Sequence, residues 1–174
     1  MQETRIIAAH AGTGKSYLAG LKPEEYIDFI CMPFKYHFDE GFGEGEGEAI
    51  KASPDLELNW EYPENYVEAI VKTLAETEKT LIIPSDSRVL HLLQGQNIPY
   101  LLCYPENSDE AKEEYHRRFI ARGNTEDFID IFIGGWDYFM QSLQRDSFGQ
   151  RMVMKPHEYL SDIVSNIANL SQNP

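Results

Sequence analysis

Eight residues near the start of the chain, Ala9-His10-Ala11-Gly12-Thr13-Gly14-Lys15-Ser16, set two glycines, a cation and a hydroxyl at spacings suited to a row of phosphates. Gly12 and Gly14 permit the dihedrals and the close approach by which successive backbone N–H groups converge on one anion. Lys15 brings positive charge to the β and γ phosphates, and the Ser16 hydroxyl is placed to ligate Mg²⁺. Ala9 stands where this pattern more often has Gly. The context supports the reading, because an apolar β-like run precedes the loop and a helix follows it, aiming a helix N-terminus at the same anion. Ala11, Gly12, Thr13, Gly14, Lys15, Ser16 and Tyr17 are therefore the expected nucleotide contacts. His10 is expected to contribute only its N–H.

A magnesium site beside Ser16 needs a carboxylate, ordinarily from the end of a neighbouring strand. Asp86 follows the apolar run Leu81-Ile82-Ile83-Pro84-Ser85 and meets that description. It is equally placed to cap the helix beginning near Ser87, and one Asp can serve both roles through different oxygens. Asp28 falls inside another apolar run, where an unpaired carboxylate is costly to bury, so it is a second candidate for metal or substrate contact. Strand alternation that exposes Asp28 is the other reading.

Three arginines, Arg117, Arg118 and Arg122, fall in one charged segment, with Arg118 and Arg122 on a shared helix face. Planar forked donors match the oxygens of a migrating phosphoryl group. Ordinary ion pairing is the competing explanation, since Glu113–Arg117 and Glu114–Arg118 have the favourable i, i+4 order and Arg122 suits a helix C-terminus.

The elements that must position these groups follow from hydrophobic period. Short apolar runs at residues 4–9, 26–31, 80–84, 99–104 and 151–155 alternate with segments of helical period, predicting an α/β three-layer sandwich with a five-stranded parallel sheet buried on both faces. Helices are expected over 15–21, 64–77, 87–94 and 108–122, with Gly123-Asn124 as a stop and Thr125 as the cap of a helix carrying Phe128, Ile131, Phe132, Trp136 and Phe139. A last amphipathic helix is expected over 157–170.

The chain of 174 residues reads as one domain, with an acidic, glycine-alternating loop over residues 39–53 and a short lid helix over 108–123. With 29 acidic against 15 basic residues, its formal charge of −14 repels nucleic-acid backbones and anionic membranes as general partners. A small anionic ligand remains compatible, because local charge decides its binding. Cys31 and Cys103 sit in or at the end of apolar runs and are expected as reduced core thiols, with neither disulfide nor zinc. No charged leader or membrane-length apolar run is seen, which directs the expectation to the cytoplasm.

The order of parts resembles the nucleoside and nucleotide kinases of the P-loop NTPase fold, such as adenylate kinase and shikimate kinase. The resemblance spans nearly the whole chain and rests on Ala9 to Ser16 and on Tyr115 to Gly123, a short lid bearing Arg117, Arg118 and Arg122. It implies ATP with Mg²⁺ and transfer to a small acceptor, most simply a nucleotide or nucleoside. It further implies that Arg88 grips the acceptor and that Lys155-Pro156-His157 lies against the base. The chain lacks the Asp-Gly-Phe-Pro-Arg run of adenylate kinases, a cysteine-bearing lid and an acceptor signature after the second strand. Trp60 and Tyr62, just before a helix, are candidate acceptor contacts, although a core anchor is the commoner role for such rings. A nucleotide-binding regulatory module with weak hydrolysis is the alternative function.

Overall fold

The computed structural model describes residues 4–37 and 57–171; the acidic segment 39–53 lies outside them. Five strands, β1 (Ile6–Ala9), β2 (Tyr26–Asp28), β3 (Thr80–Pro84), β4 (Leu101–Pro105) and β5 (Gln150–Met154), form one sheet in the order β2-β3-β1-β4-β5. Every pairing is parallel. Strand β1 thus lies between β3 and β4, and the chain leaves it first toward one edge and later toward the other. That reversal opens a crevice at the carboxyl end of β1, the usual ligand position in an open α/β sheet.

Period-two alternation sorts the strand residues into two cores. Ile6, Ala8, Leu81, Ile83, Leu102 and Tyr104 face a layer formed by α3 (Glu64–Glu76), α4 (Ser87–Gly95), α5 (Asp109–Ala121) and α7 (Trp136–Gln144). Ile7, Ala9, Ile82, Leu101, Cys103 and Met154 face Leu18 of α1 (Lys15–Leu21) and Leu160, Ile163 and Val164 of α8 (Leu160–Ser171). Each central strand is covered on both sides, as a parallel sheet requires.

Four expectations are corrected. The second strand ends at Asp28, because Cys31 opens a four-residue helix, α2 (Met32–Lys35), with Pro33 in its first turn, where the missing N–H costs no helical bond. The edge strand β5 is not covered on both faces: Gln150, Arg151 and Val153 are exposed. The helix expected after Thr125 is broken into α6 (Glu126–Ile129), a π-helical turn (Asp130–Gly134) and α7, with Gly134-Gly135 at the joint. The last helix begins at Leu160 because residues 157–159 turn toward the glycine loop, where the Leu160 N–H donates to the Thr13 carbonyl at 3.0 Å. Both cysteines are free; Cys103 is buried, with its thiol pushed up to about 12 by burial, whereas Cys31 is only partly buried.

Candidate phosphate site and cleft

The loop after β1 is held by its own backbone. The His10 N–H donates to the Cys103 carbonyl at 3.0 Å, tying the loop to β4, and the Thr13 hydroxyl donates to the His10 carbonyl at 2.7 Å. Gly12 and Gly14 have φ of 81° and 90°, the left-handed region that glycine occupies without strain. Gly14 is the N-cap of α1 and supplies no side chain to the first N–H groups, the arrangement by which a helix start can take an anion. Lys15 folds back on the loop, its Nζ donating to the carbonyls of Ala9 and His10 at 3.2 and 3.1 Å.

Beside Lys15, the Ser16 hydroxyl donates to Asp28 Oδ2 at 2.5 Å. Asp28 ends β2, two strands away from β1, so the sheet order carries its carboxylate to the start of α1. Asp86, at the tip of β3, is engaged differently. It accepts from the Arg88 N–H at 2.9 Å as the cap of α4, from Arg88 Nη2 at 3.0 Å and from the Tyr62 hydroxyl at 3.0 Å. Burial pushes the Asp86 carboxyl up, but the Arg88 and Tyr62 bonds outweigh it and hold it below the ordinary carboxylate range. Asp28 and Asp86 both line the same cleft. Among the described residues no three His, Cys, Asp or Glu side chains form a metal-binding group. A Mg²⁺ held by Ser16, one carboxylate and phosphate oxygens fits such a site, because this ion keeps several waters and rarely takes an all-protein cage.

The charged helix does not stand over the cleft as a free lid. Ala111, Tyr115 and Phe119 of α5 are fully buried, and Arg118 is 7% exposed. Its guanidinium donates to the carbonyls of Gly12 at 3.1 Å, Pro156 at 2.8 Å and Glu158 at 3.2 Å, and to Glu114 at 3.1 Å. The same group lies 3.9 Å from the Tyr159 ring centroid and 4.6 Å from that of Tyr115. Arg118 therefore ties α5, the glycine loop and the segment after β5 together, and its donors are committed. Arg117 turns to Glu114, at 3.2 Å, instead of Glu113. Arg122, the C-cap residue of α5, lines the cleft with no ion pair among the described residues.

Of the acceptor candidates, Arg88 reaches the cleft and stacks over Tyr62 at 5.0 Å. Tyr62 is buried behind Asp86 as a support for its carboxylate. Trp60 is 84% exposed and does not line the cleft. Sequence reading overlooked Tyr159, whose ring would lie 3.2 Å from a Cβ on Gly14. Glu114 holds Arg118 at the expected i, i+4 spacing and holds Arg117 as well.

The wall of the cleft beside the glycine loop is aromatic. The His10 ring is buried and meets Phe132, Phe139 and Trp136 with centroids 5.6, 5.9 and 6.2 Å away. Its Nε2 has no hydrogen-bond partner among the described residues. Burial, with the nearby Lys15 charge, lowers its pKa to about 3, so the imidazole is neutral at physiological pH.

The all-parallel five-stranded sheet, its strand order and the glycine loop at the carboxyl end of β1 define an α/β fold of the P-loop NTPase type. The tunicamycin resistance protein of Deinococcus radiodurans shares it, with a TM-score of 0.59 over 98% of this chain and 96% of that one, at 13% identity. At that identity the likeness is one of fold. No family model matches the sequence. The DNA polymerase alpha catalytic subunit of Dictyostelium discoideum is 26% identical over 98 residues, covering 55% of this chain, and the match spans 6% of that protein's length. No helix among the described residues is long and apolar enough to cross a membrane.

Proposed function

We propose that the chain binds Mg-ATP and transfers its γ-phosphoryl group to a small acceptor. The observation carrying this reading is the Ser16–Asp28 pair at 2.5 Å beside Lys15, at the phosphate end of the cleft. Charge supports it: seven of the chain's 15 Lys and Arg residues line this one cleft of a protein whose net charge is −14. ATP and Mg²⁺ rest on this reading, as does a cytoplasmic setting.

Lys15 would exchange the Ala9 and His10 carbonyls for β and γ phosphate oxygens, while the loop N–H groups hold the triphosphate. Ser16 and Asp28 would hold Mg²⁺, which neutralises charge developing on the phosphates. Arg122, with no carboxylate partner among the described residues, and Arg117, if it leaves Glu114, would cover the migrating group. The acceptor hydroxyl oxygen forms a bond to the γ phosphorus, the bond from that phosphorus to the β,γ-bridging oxygen breaks with its electron pair leaving on ADP, and the hydroxyl proton passes to the ionised Asp86 and then to solvent. Tyr159, backed by Arg118, would offer its ring to the base.

A nucleotide-binding module with weak hydrolysis is the second reading, favoured by the commitment of Arg118 to backbone carbonyls. ADP release from Mg-ATP across nucleosides, nucleoside monophosphates and small alcohols separates the two. Stimulation by an acceptor, lost in Lys15→Ala, is expected for a kinase; tight Mg-ATP binding without stimulation would favour the module.

A further inference from the structure

The phosphate site uses only part of the cleft. Its volume of about 2070 Å³ exceeds the roughly 300–1,000 Å³ of an ordinary small-molecule pocket. One wall is formed by α6, the π-helical turn and α7, which together present Phe128, Ile131, Phe132, Tyr138 and Phe139 to the cleft. Phe132 lies 4.5 Å from Phe128 and stacks on Phe139 at 5.3 Å and 19°, giving a continuous ring surface. Ile131 and Tyr138 are 58% and 75% exposed. A π-helical turn is an unfavourable way to continue a helix and recurs at functional sites. Here its Phe132 joins the ring of Phe128 in α6 to that of Phe139 in α7 and leaves apolar side chains lining the cleft, where exposed apolar area marks binding.

This wall is continuous with the phosphate site. His10 belongs to the glycine loop, yet its ring lies edge-on to Phe132 and its Nε2 is unpartnered among the described residues. The charges beside the wall are largely spoken for. Arg88 is paired with Asp86 at 3.0 Å, and Arg117 and Arg118 share Glu114, so that of the arginines lining the cleft only Arg122 and Arg145 make no ion pair among the described residues. A second phosphate dianion would have to compete with carboxylates already in place.

We infer, resting on the phosphoryl-transfer reading, that the acceptor is a hydroxyl compound with a flat apolar body that lies on the Phe128–Phe132–Phe139 wall, rather than a nucleoside monophosphate. Its hydroxyl reaches toward Asp86 and the γ phosphate, and its body replaces water along the rings.

The test uses 1-anilinonaphthalene-8-sulfonate, an aromatic body of this kind, titrated by fluorescence into the full chain with Mg-ATP present. It is repeated on Ile131→Asn and Tyr138→Ser, whose exposed side chains carry little of the fold. One saturable site is expected, weakened about tenfold in both variants, with Mg-ATP affinity unchanged. In the same proteins 2-phenylethanol and 2-(2-naphthyl)ethanol are expected to stimulate ADP release, and the variants to lose that stimulation. Absence of a saturable site, probe binding indifferent to both variants, or stimulation by nucleoside monophosphates that both variants retain would overturn the inference. In the last case phosphoryl transfer stands and only the apolar acceptor falls. Failure of the wild-type chain to bind Mg-ATP would overturn both.

Discussion

Arg118 reaches from the last turn of α5 to the Gly12 carbonyl, 3.1 Å away and 106 residues earlier in the chain. The bond fixes one peptide of the glycine loop, while the same guanidinium holds Pro156 and Glu158. Loop shape is therefore set by a buried side chain that never has to touch a phosphate.

Removing it should be costly. Arg118→Met leaves three carbonyls and the Glu114 carboxylate short of a donor, and a loss of about 3 kcal/mol is expected in urea denaturation, with weaker Mg-ATP binding. Arg118→Lys should rescue little, because one ammonium cannot reproduce the planar fork. A lysine variant of wild-type stability would contradict the clamp.

Glycine positions give a paired comparison. At Gly12 a Cβ would lie 2.9 Å from a Phe119 ring carbon, and the φ of 81° is unfavourable to any L side chain. Gly12→Ala is expected to destabilise by about 1–3 kcal/mol and to abolish nucleotide binding. Gly20, in α1 with nothing within 4 Å of its Cβ position, is expected to gain about 0.5–1 kcal/mol on replacement by Ala. Thermal melts of the two variants check the opposite signs.

His10 should write a pH dependence into stability. Its pKa falls from 6.5 to about 3 on folding, so between those values the unfolded chain binds a proton that the native chain refuses. Stability is thus highest above pH 6.5 and is lost as pH falls, at up to about 1.4 kcal/mol per unit. Between pH 7 and pH 5 the wild type should lose about 2 kcal/mol more than His10→Phe in parallel urea titrations. Equal losses would show that the imidazole is not the group responsible.

The two carboxylates can be told apart. Asp28→Asn is expected to weaken the magnesium-dependent part of ATP binding about tenfold while leaving binding of metal-free ATP nearly unchanged. Asp86→Asn should spare that metal dependence and instead lower acceptor-stimulated turnover and the stability of α4. Titrations with and without EDTA distinguish them, and a reversal of the two effects would return the metal to Asp86.

Much of the fold was legible because it rests on local pattern. The apolar runs placed all five strands to within a few residues, and Lys15–Leu21 is the expected first helix. What escaped was decided by distant contacts. Asp28 meets Ser16 only through the sheet order, which period cannot reveal. Arg118 has the spacing of a surface ion pair and makes one with Glu114, yet its burial depends on how Tyr115 and Phe119 pack beneath the loop. The π-helical turn arises where α-helical spacing would have continued through Gly134-Gly135, and Trp136 is drawn instead into the core beside Tyr115.

The most direct measurement is calorimetric titration of Mg-ATP into the wild-type chain and Lys15→Ala. One site per chain is expected, weakened at least about tenfold in the variant and dependent on magnesium. No heat of binding, or equal affinity in the two proteins, would contradict the assignment of the glycine loop as a triphosphate site.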